Sequence, residues 1–158
     1  DEIMKNIIKT EQDDEEANNV LIILDDVIKS LKNNKEAEYL TKCILNRRHI
    51  LNNKDKPGSG GLSIWIMSQK FNALPLIFRI NASSVYLLSS VVNNQKEKHT
   101  IKDELMADLS NEEQEDLFKM AFKKKYSNLL ILNKQPKKKR YYSNFNLIKF
   151  DDNESDSD

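Results

Sequence analysis

The stretch VLIILDD, residues 20–26, places five consecutive aliphatic side chains in front of two aspartates. A short apolar run without alternation is typical of a strand buried on both faces of a parallel sheet. A second such run, LSIWIM at residues 62–67, ends in the polar residues Ser68 and Gln69. We therefore expect two central strands, with Trp65 in the core.

Helical periodicity follows each run. A helix predicted from residue 35 to residue 46 has an apolar face made of Ala37, Leu40, Cys43 and Ile44. A short helix is predicted to open near Pro75. Further strands are predicted at residues 85–88, 129–132 and 141–150. We expect the last two to form an antiparallel hairpin across residues 133–140.

Two capping-box patterns predict helix starts in the second half of the chain. Thr100 is followed three residues later by Asp103, and Ser110 by Glu113. In such a pair the hydroxyl accepts a bond from the third backbone N–H, and the acid accepts one from the capping residue. We expect a helix to begin at each pair.

The composition fits one soluble α/β or α+β domain with a single core. The chain has 158 residues, of which 39% are hydrophobic and 32% charged. Lys plus Arg and Asp plus Glu both number 25, so any nucleic-acid surface must be local. Cys43 is the only cysteine, which excludes an internal disulfide. No window approaches the ~18 apolar residues of a membrane span.

Charge blocks suggest the domain limits. We expect a helix and an acidic linker at residues 1–19, the folded domain at residues 20–150, and a disordered acidic tail at residues 151–158. A basic block consists of Lys137, Lys138, Lys139 and Arg140. Such a block contacts DNA phosphates, acts as a nuclear-import signal, or is simply a solvated hairpin turn.

The paired aspartates carry the most specific chemistry. In an open α/β sheet, ligands bind beyond the carboxyl ends of the strands, where Asp25 and Asp26 are expected. This is the pattern of a Walker B motif, whose first carboxylate holds Mg²⁺ and whose second polarises the attacking water in nucleotide hydrolysis. Because Asp also favours turns, a solvated strand end is the alternative.

Further polar residues suit the same chemistry. Gln69 would lie beside Asp25 if the two strands are neighbours, where its amide can orient water or sense a γ-phosphate; the alternative is a surface glutamine. Arg48 or Arg79 can neutralise the charge that develops in phosphoryl transfer, in cis or from a neighbouring subunit. Both arginines also fit ordinary surface roles. His49 fits a packed or capping histidine, since no zinc-ligand spacing surrounds it.

The segments VLIILDD, LNRRH, LSIWIMSQKFNALPLIFRINASSVYLL and NLLILNKQPKKKRYYSNF together resemble one known family. They are similar, in this order from Val20 to Phe150, to the poxvirus-type DNA-packaging ATPases of the FtsK/HerA superfamily, found in large DNA viruses and virophages. The resemblance implies a RecA-like P-loop NTPase fold of the ASCE type, α/β, with a mostly parallel central sheet flanked by helices. It also implies a homo-oligomeric ring that drives double-stranded DNA into a viral capsid at its portal vertex. The expected location is the host cytoplasm or a viral factory, or the virion.

The resemblance implies roles for the matching residues, with ATP and Mg²⁺ as cofactors. Asp25 would hold the metal, and Asp26 would stand where many relatives have a catalytic Glu. Gln69 would be the sensor and Arg79 the arginine finger. Arg48 and His49 would match the Arg-His motif of the family.

One family element is absent from the 158 residues, namely the phosphate-binding loop G-x-x-x-x-G-K-[ST]. We expect the first strand and this loop to lie upstream of Asp1, so that the fragment alone is inactive. Two alternatives remain open. One is a nucleic-acid-binding or interaction module without hydrolysis, and the other is a related ATPase motor for conjugation or secretion.

Overall fold

A computed structural model describes residues 5–6, 8–9, 19–26, 34–47, 49–51 and 60–150. The fold is mixed α/β, as predicted, but the chain divides into two compact units, Asp1–Asn81 and Ala82–Asp158, rather than one. Residues 5–6 and 8–9 are helical, whereas the predicted acidic linker and acidic tail lie outside the described residues. Within the described ranges, none of the helices has the length and apolar character needed to cross a membrane.

The first unit is built on two parallel strands. Its described elements are β1 (Asn19–Asp25), α1 (Asn34–Asn46), β2 (Gly61–Met67) and α2 (Leu76–Asn81). The two strands pair in parallel over their full length, from Asn19 opposite Gly61 to Asp25 opposite Met67. The predicted helix at residues 35–46 and the short helix after Pro75 are both confirmed as α1 and α2.

Among the described residues of the first unit, only one face of this parallel pair is covered, which corrects the prediction of burial on both faces. On the covered face, β1 and β2 contact the buried residues Leu40, Cys43 and Ile44 of α1 and Phe78 of α2. Successive side chains of a strand point to opposite faces, so the alternate residues face outward. The exposed ones are Leu21, Ile23, Trp65 and Met67. Trp65, predicted to be in the core, is 61% exposed.

The second unit combines four short strands with two helices. Its elements are β3 (Ser84–Leu88), α3 (Gln95–Leu105), α4 (Asn111–Ala121), β4 (Asn128–Leu132), β5 (Tyr141–Ser143) and β6 (Asn146–Leu147). The strands form one antiparallel sheet in the order β3-β4-β5-β6. The expectation of a mostly parallel sheet therefore holds only for β1 and β2 among the described strands.

The core of the second unit lies between this sheet and its helices. The hydroxyl of Tyr141 on β5 donates to the Leu105 carbonyl of α3, and the hydroxyl of Ser143 donates to the Ala121 carbonyl of α4. Leu129 and Ile131 of β4 are fully buried on the same side. The predicted hairpin is confirmed as β4 and β5, but the strand predicted at residues 141–150 is interrupted by a turn at residues 144–145.

One of the two predicted capping boxes is present. The Ser110 hydroxyl accepts from the Glu113 backbone N–H, and the Glu113 carboxylate accepts from the Ser110 N–H, so both bonds of the box form. The helix start predicted at Thr100 is wrong. Helix α3 begins at Gln95 with Asn94 as its cap, and the Thr100 hydroxyl donates to the Lys96 carbonyl one turn earlier.

This difference predicts unequal effects of two hydroxyl deletions. Ser110→Ala should lower the free energy of unfolding by about 1 kcal/mol, because it leaves an N-terminal N–H of α4 without its cap. Thr100→Ala should leave the free energy within about 0.5 kcal/mol of wild type, because alanine favours a helix interior more than threonine does. Urea unfolding followed by circular dichroism measures both. Equal losses would contradict the assignment of α3 and α4 starts.

Candidate functional site

The parallel pairing brings two predicted site segments to one edge of the sheet. Asp25, the last residue of β1, lies opposite Met67, the last residue of β2. The residues that come next, Asp26 after β1 and Ser68 and Gln69 after β2, therefore lie at the carboxyl ends of neighbouring strands. Asp25, Asp26 and Gln69 are exposed at this edge. The two strands are therefore neighbours, which is the condition under which Gln69 was predicted to lie near Asp25.

The backbone turns sharply at Asp26. Its φ of 48° lies in the left-handed region, which L-residues with a Cβ seldom adopt and which Asp tolerates better than most. Asp25 is the last residue of β1 and belongs to the outward-facing series that includes Ile23. Strand β1 therefore ends at Asp25, and the chain changes direction at Asp26.

The segment after β2 is ordered by its own hydrogen bonds. The Ser68 hydroxyl donates to the Lys70 carbonyl at 2.7 Å and accepts from the Lys70 N–H at 3.1 Å. A single 3-10 turn, Phe71–Ala73, follows directly. Gln69 lies at the tip of this serine-closed turn, which holds its backbone in place while its side chain faces solvent.

Arg79 lies against the same segment. Its guanidinium carbon is 5.4 Å from the centroid of the Phe71 ring, a cation–π distance. Helix α2, which carries Arg79, is anchored through Phe78, whose side chain is 4% exposed and packs with Leu40 and Ile44 of α1. Arg79 is therefore positioned next to the loop that bears Gln69, two residues before Phe71.

His49, the described member of the predicted Arg-His motif, lies near the opposite end of the two strands. Arg48 is outside the described residues, but the Arg47 carbonyl accepts from the Leu62 N–H near the start of β2, and His49 is exposed in the following turn. Leu62 and Met67 are five residue steps apart along β2, which at ~3.3 Å per step is about 17 Å. His49 and Asp25 therefore do not meet within one chain.

The basic block of the second unit is partly neutralised. Lys137 pairs with Glu113 of α4 at 2.6 Å, and Arg140 pairs with Asp108 at 2.8 Å. The Lys137 ammonium holds the pKa of Glu113 below its usual value. Lys138 and Lys139 are exposed in the 3-10 turn Lys137–Lys139. Two of the four predicted DNA contacts thus fasten the hairpin loop to the helices.

An ionic cluster between α3 and α4 was not predicted from the sequence. Lys98 and Lys102, one turn apart on α3, both donate to the Glu115 carboxylate of α4, and both ammonium groups lie near the Phe118 ring. Hydrogen bonds from Lys102 and then Lys98 lower the pKa of Glu115 to about 2. The i, i+4 spacing of two lysines was the available sequence signal, although it did not reveal that the partner lies on another helix.

In the described part of the chain, neither the Cys43 thiol nor a cluster of metal ligands forms a reactive centre apart from the residues at the carboxyl ends of β1 and β2. The Cys43 side chain is 2% exposed, and burial raises the pKa of its thiol, so it is a core residue as predicted. Within the described ranges, no three His, Cys, Asp or Glu side chains are placed to hold a metal ion together.

Comparison of the chain with protein-family models, with curated proteins and with solved structures finds no match. The resemblance to packaging ATPases therefore stays a prediction that depends on its ordered motifs.

The Glu115 cluster predicts how stability responds to acid. The lowered pKa means that the carboxylate contributes stability above its unfolded pKa near 4.5, and that this contribution is lost as the pH falls toward about 2. Glu115→Gln should therefore flatten the fall in unfolding free energy between about pH 5 and pH 2.

Denaturant unfolding at several pH values measures this effect. Asp116→Asn is the matched control, because Asp116 pairs with Lys119 on the exposed surface of the same helix. A Glu115→Gln profile parallel to that of wild type would show that the two lysines do not bind the carboxylate in solution.

Proposed function

We propose that this chain belongs to an ATP-driven motor that moves double-stranded DNA, of the viral packaging type and with a RecA-like P-loop fold. The observation that carries the proposal is the register of Asp25 with Met67. It sets the two carboxylates and the Ser-Gln segment at the carboxyl edge of adjacent parallel strands, where α/β sheets bind ligands.

The residues at this edge fit a magnesium-nucleotide complex. Mg²⁺ takes oxygen ligands and is usually bound through one or two carboxylates together with substrate phosphates and water. Asp25 and Asp26 supply two exposed carboxylates at one strand end. In the proposal Asp25 binds the metal, which stabilises charge on the phosphates, and Asp26 orients and polarises the attacking water.

Gln69 and Arg79 would complete the catalytic group. An amide at Gln69 can position the water or sense the γ-phosphate, since it both donates and accepts hydrogen bonds. The guanidinium of Arg79, held over Phe71, can neutralise charge on the phosphate oxygens. Because His49 lies at the opposite edge of the sheet, the Arg48-His49 motif would act on a nucleotide bound to a neighbouring subunit, which fits a ring.

Such a motor requires partners and a phosphate cradle besides these residues. The cradle would be a P-loop, which the 158 residues do not contain. The partners would be duplex DNA, further copies of the chain in a ring, and a viral capsid or portal, in the host cytoplasm or a viral factory. Within the basic block, Lys138 and Lys139 are exposed and would face DNA phosphates.

Removal of one negative charge at the sheet edge should abolish turnover. Asp26→Asn in the full-length protein should lower Mg²⁺-dependent ATP hydrolysis by about 100-fold or more, because an amide cannot polarise water as a carboxylate does. Nucleotide affinity should change little, since the metal ligand Asp25 is retained. Phosphate release with and without duplex DNA, and nucleotide binding by calorimetry, measure the two quantities.

The matched control is Glu38→Gln, which removes an exposed carboxylate of α1 that pairs only at the surface with Lys42. It should hydrolyse ATP at the wild-type rate. Absence of turnover in folded, oligomeric full-length protein would reject the motor and favour the module that binds nucleic acid without hydrolysis.

A mixing experiment tells whether Arg79 acts within its own subunit. Arg79→Ala and Asp26→Asn should each be inactive alone. Mixed rings contain interfaces at which one subunit has an intact Asp26 and its neighbour has an intact Arg79. If Arg79 acts on the nucleotide of the neighbouring subunit, ATP hydrolysis returns at these interfaces. Activity that stays at background after subunit exchange would place Arg79 in cis and leave the trans role to Arg48.

A further inference from the structure

The four-stranded sheet of the second unit has one face packed on helices and one face open to solvent. Paired residues of neighbouring strands point to the same side of a sheet. Leu87, Leu129, Ile131 and Tyr141 are buried on the helical side. The opposite side presents one row of apolar side chains across all four strands, formed by Tyr86, Leu130, Tyr142 and Leu147. We call this side the open face.

Aromatic rings dominate the open face. Tyr86 is 48% exposed and Phe145 is 69% exposed, yet their ring centroids are only 5.9 Å apart. Tyr86 belongs to β3, whereas Phe145 follows β5, and β4 runs between those two strands. The ring contact therefore crosses over β4 on its solvent side, which places the Phe145 ring on the surface of the sheet.

The turn that carries Phe145 keeps its ring there. Asn144 and Phe145 have φ values of 46° and 66°, both in the left-handed region. The Asn144 side chain accepts from both the backbone N–H and the side-chain amide of Asn128 at the start of β4. The turn is thus fastened to the sheet, and an exposed Phe is displayed in a fixed position instead of on a loose loop.

The acids of residues 82–150 are confined to one part of the sequence. Residues 82–150 contain eight Asp and Glu, and all eight lie between residues 97 and 116, in α3, α4 and their connection. Residues 117–150, which include three of the four strands, contain ten Lys and Arg and no acid. None of these ten bases lies in a strand, because Lys119 is on α4 and the other nine are in the segments between and after the strands. The bases therefore flank the sheet, and residues 151–158 add five acids to the same unit.

Lysines border the open face at the end where Phe145 lies. Lys123, Lys124 and Lys125 are exposed in the segment that leads into β4, whose first residue binds the Asn144 turn. The Lys125 ammonium is 5.0 Å from the centroid of the Tyr126 ring, which is 81% exposed. Cationic groups and exposed rings therefore stand side by side at this end of the sheet.

We propose that the open face binds single-stranded nucleic acid. Unpaired bases stack on exposed rings, here Tyr86 and Phe145 beside the half-buried Tyr142, while lysines neutralise the phosphates. A four-stranded sheet offers room for about two or three stacked bases. Duplex DNA keeps its bases stacked inside the helix and cannot use the rings, so the face discriminates between single and double strands. This binding does not require ATP hydrolysis.

The charge distribution favours a polyanion over a second copy of the chain as occupant. Two copies joined through their open faces would bring the exposed lysines at residues 123–125 of both copies toward one interface, and like charges across an interface are costly. A single strand instead satisfies both features of the face, since its bases are flat and largely apolar and its backbone is anionic.

Fluorescence anisotropy tests the proposal with the whole chain. The probe is a fluorescein-labelled oligothymidylate of about 12 nucleotides, compared with a labelled duplex of equal length. The chain should bind the single strand about tenfold or more tightly than the duplex at moderate salt, because stacking adds to the attraction of the phosphates. Equal affinities, or no binding of the single strand, would overturn the proposal.

Substitutions separate the contribution of base stacking to affinity from the contribution of charge attraction to the phosphates. Phe145→Ala should weaken binding about tenfold, and Phe145→Tyr should retain it, because the ring is what stacks. Met120→Ala, which removes an exposed apolar side chain of α4, should bind as wild type. Alanine at Lys123, Lys124 and Lys125 together should reduce the slope of log affinity against log salt, by about 0.7 for each phosphate that is no longer neutralised.

Two outcomes would reject the assignment. In the first, Phe145→Ala keeps its fold, judged by circular dichroism, and binds like wild type, which would leave only nonspecific attraction by lysines. In the second, sedimentation shows a dimer that Phe145→Ala dissociates, which would identify the face as an interface between copies.

Discussion

Parallel pairing of two adjacent strands determines where every candidate residue of the first unit lies. Parallel strands must be joined by a crossover that returns from the carboxyl end of one strand to the amino end of the next. In this chain the crossover includes α1, and the Arg47 carbonyl that follows this helix is bound to the Leu62 N–H. One constraint of connectivity thus sends Asp25 and Gln69 to one edge and His49 to the other.

In the proposed motor, this separation would divide the catalytic residues between neighbouring subunits. The carboxylates, the amide and Arg79 belong to neighbouring segments of the first unit, because Phe71 links the loop after β2 to α2. The histidine motif is separated from them by the length of the strands. If the chains form a ring, the end of the sheet that carries His49 in one subunit can face the nucleotide bound to the next subunit.

In the second unit, the placement of residues depends on the alternation of side chains between the two faces of an antiparallel sheet. Its core side is specified by Leu129, Ile131 and Tyr141, so Leu130 and Tyr142 must point to the opposite face. Between residues 82 and 150 this unit has its acids in α3, α4 and their connection, and most of its bases in the segments that flank the strands. Ion pairs between the layers, such as Lys137 with Glu113, hold the hairpin loop to α4 and reduce the number of basic groups available to ligands.

The sequence alone determined the elements that depend on local chemistry. The Ser110 box, the helix at residues 34–46 and the strands around Ile22 and Ile64 are each specified by neighbours a few residues away. The helix start predicted at Thr100 was wrong because a Thr-x-x-Asp pattern also occurs inside a helix. There the threonine hydroxyl donates to a carbonyl of the preceding turn. Only the tertiary structure decided which strands pair, which face of each is covered, and that Trp65 is exposed. Those outcomes depend on contacts between residues far apart in the chain, which hydrophobic periodicity does not encode.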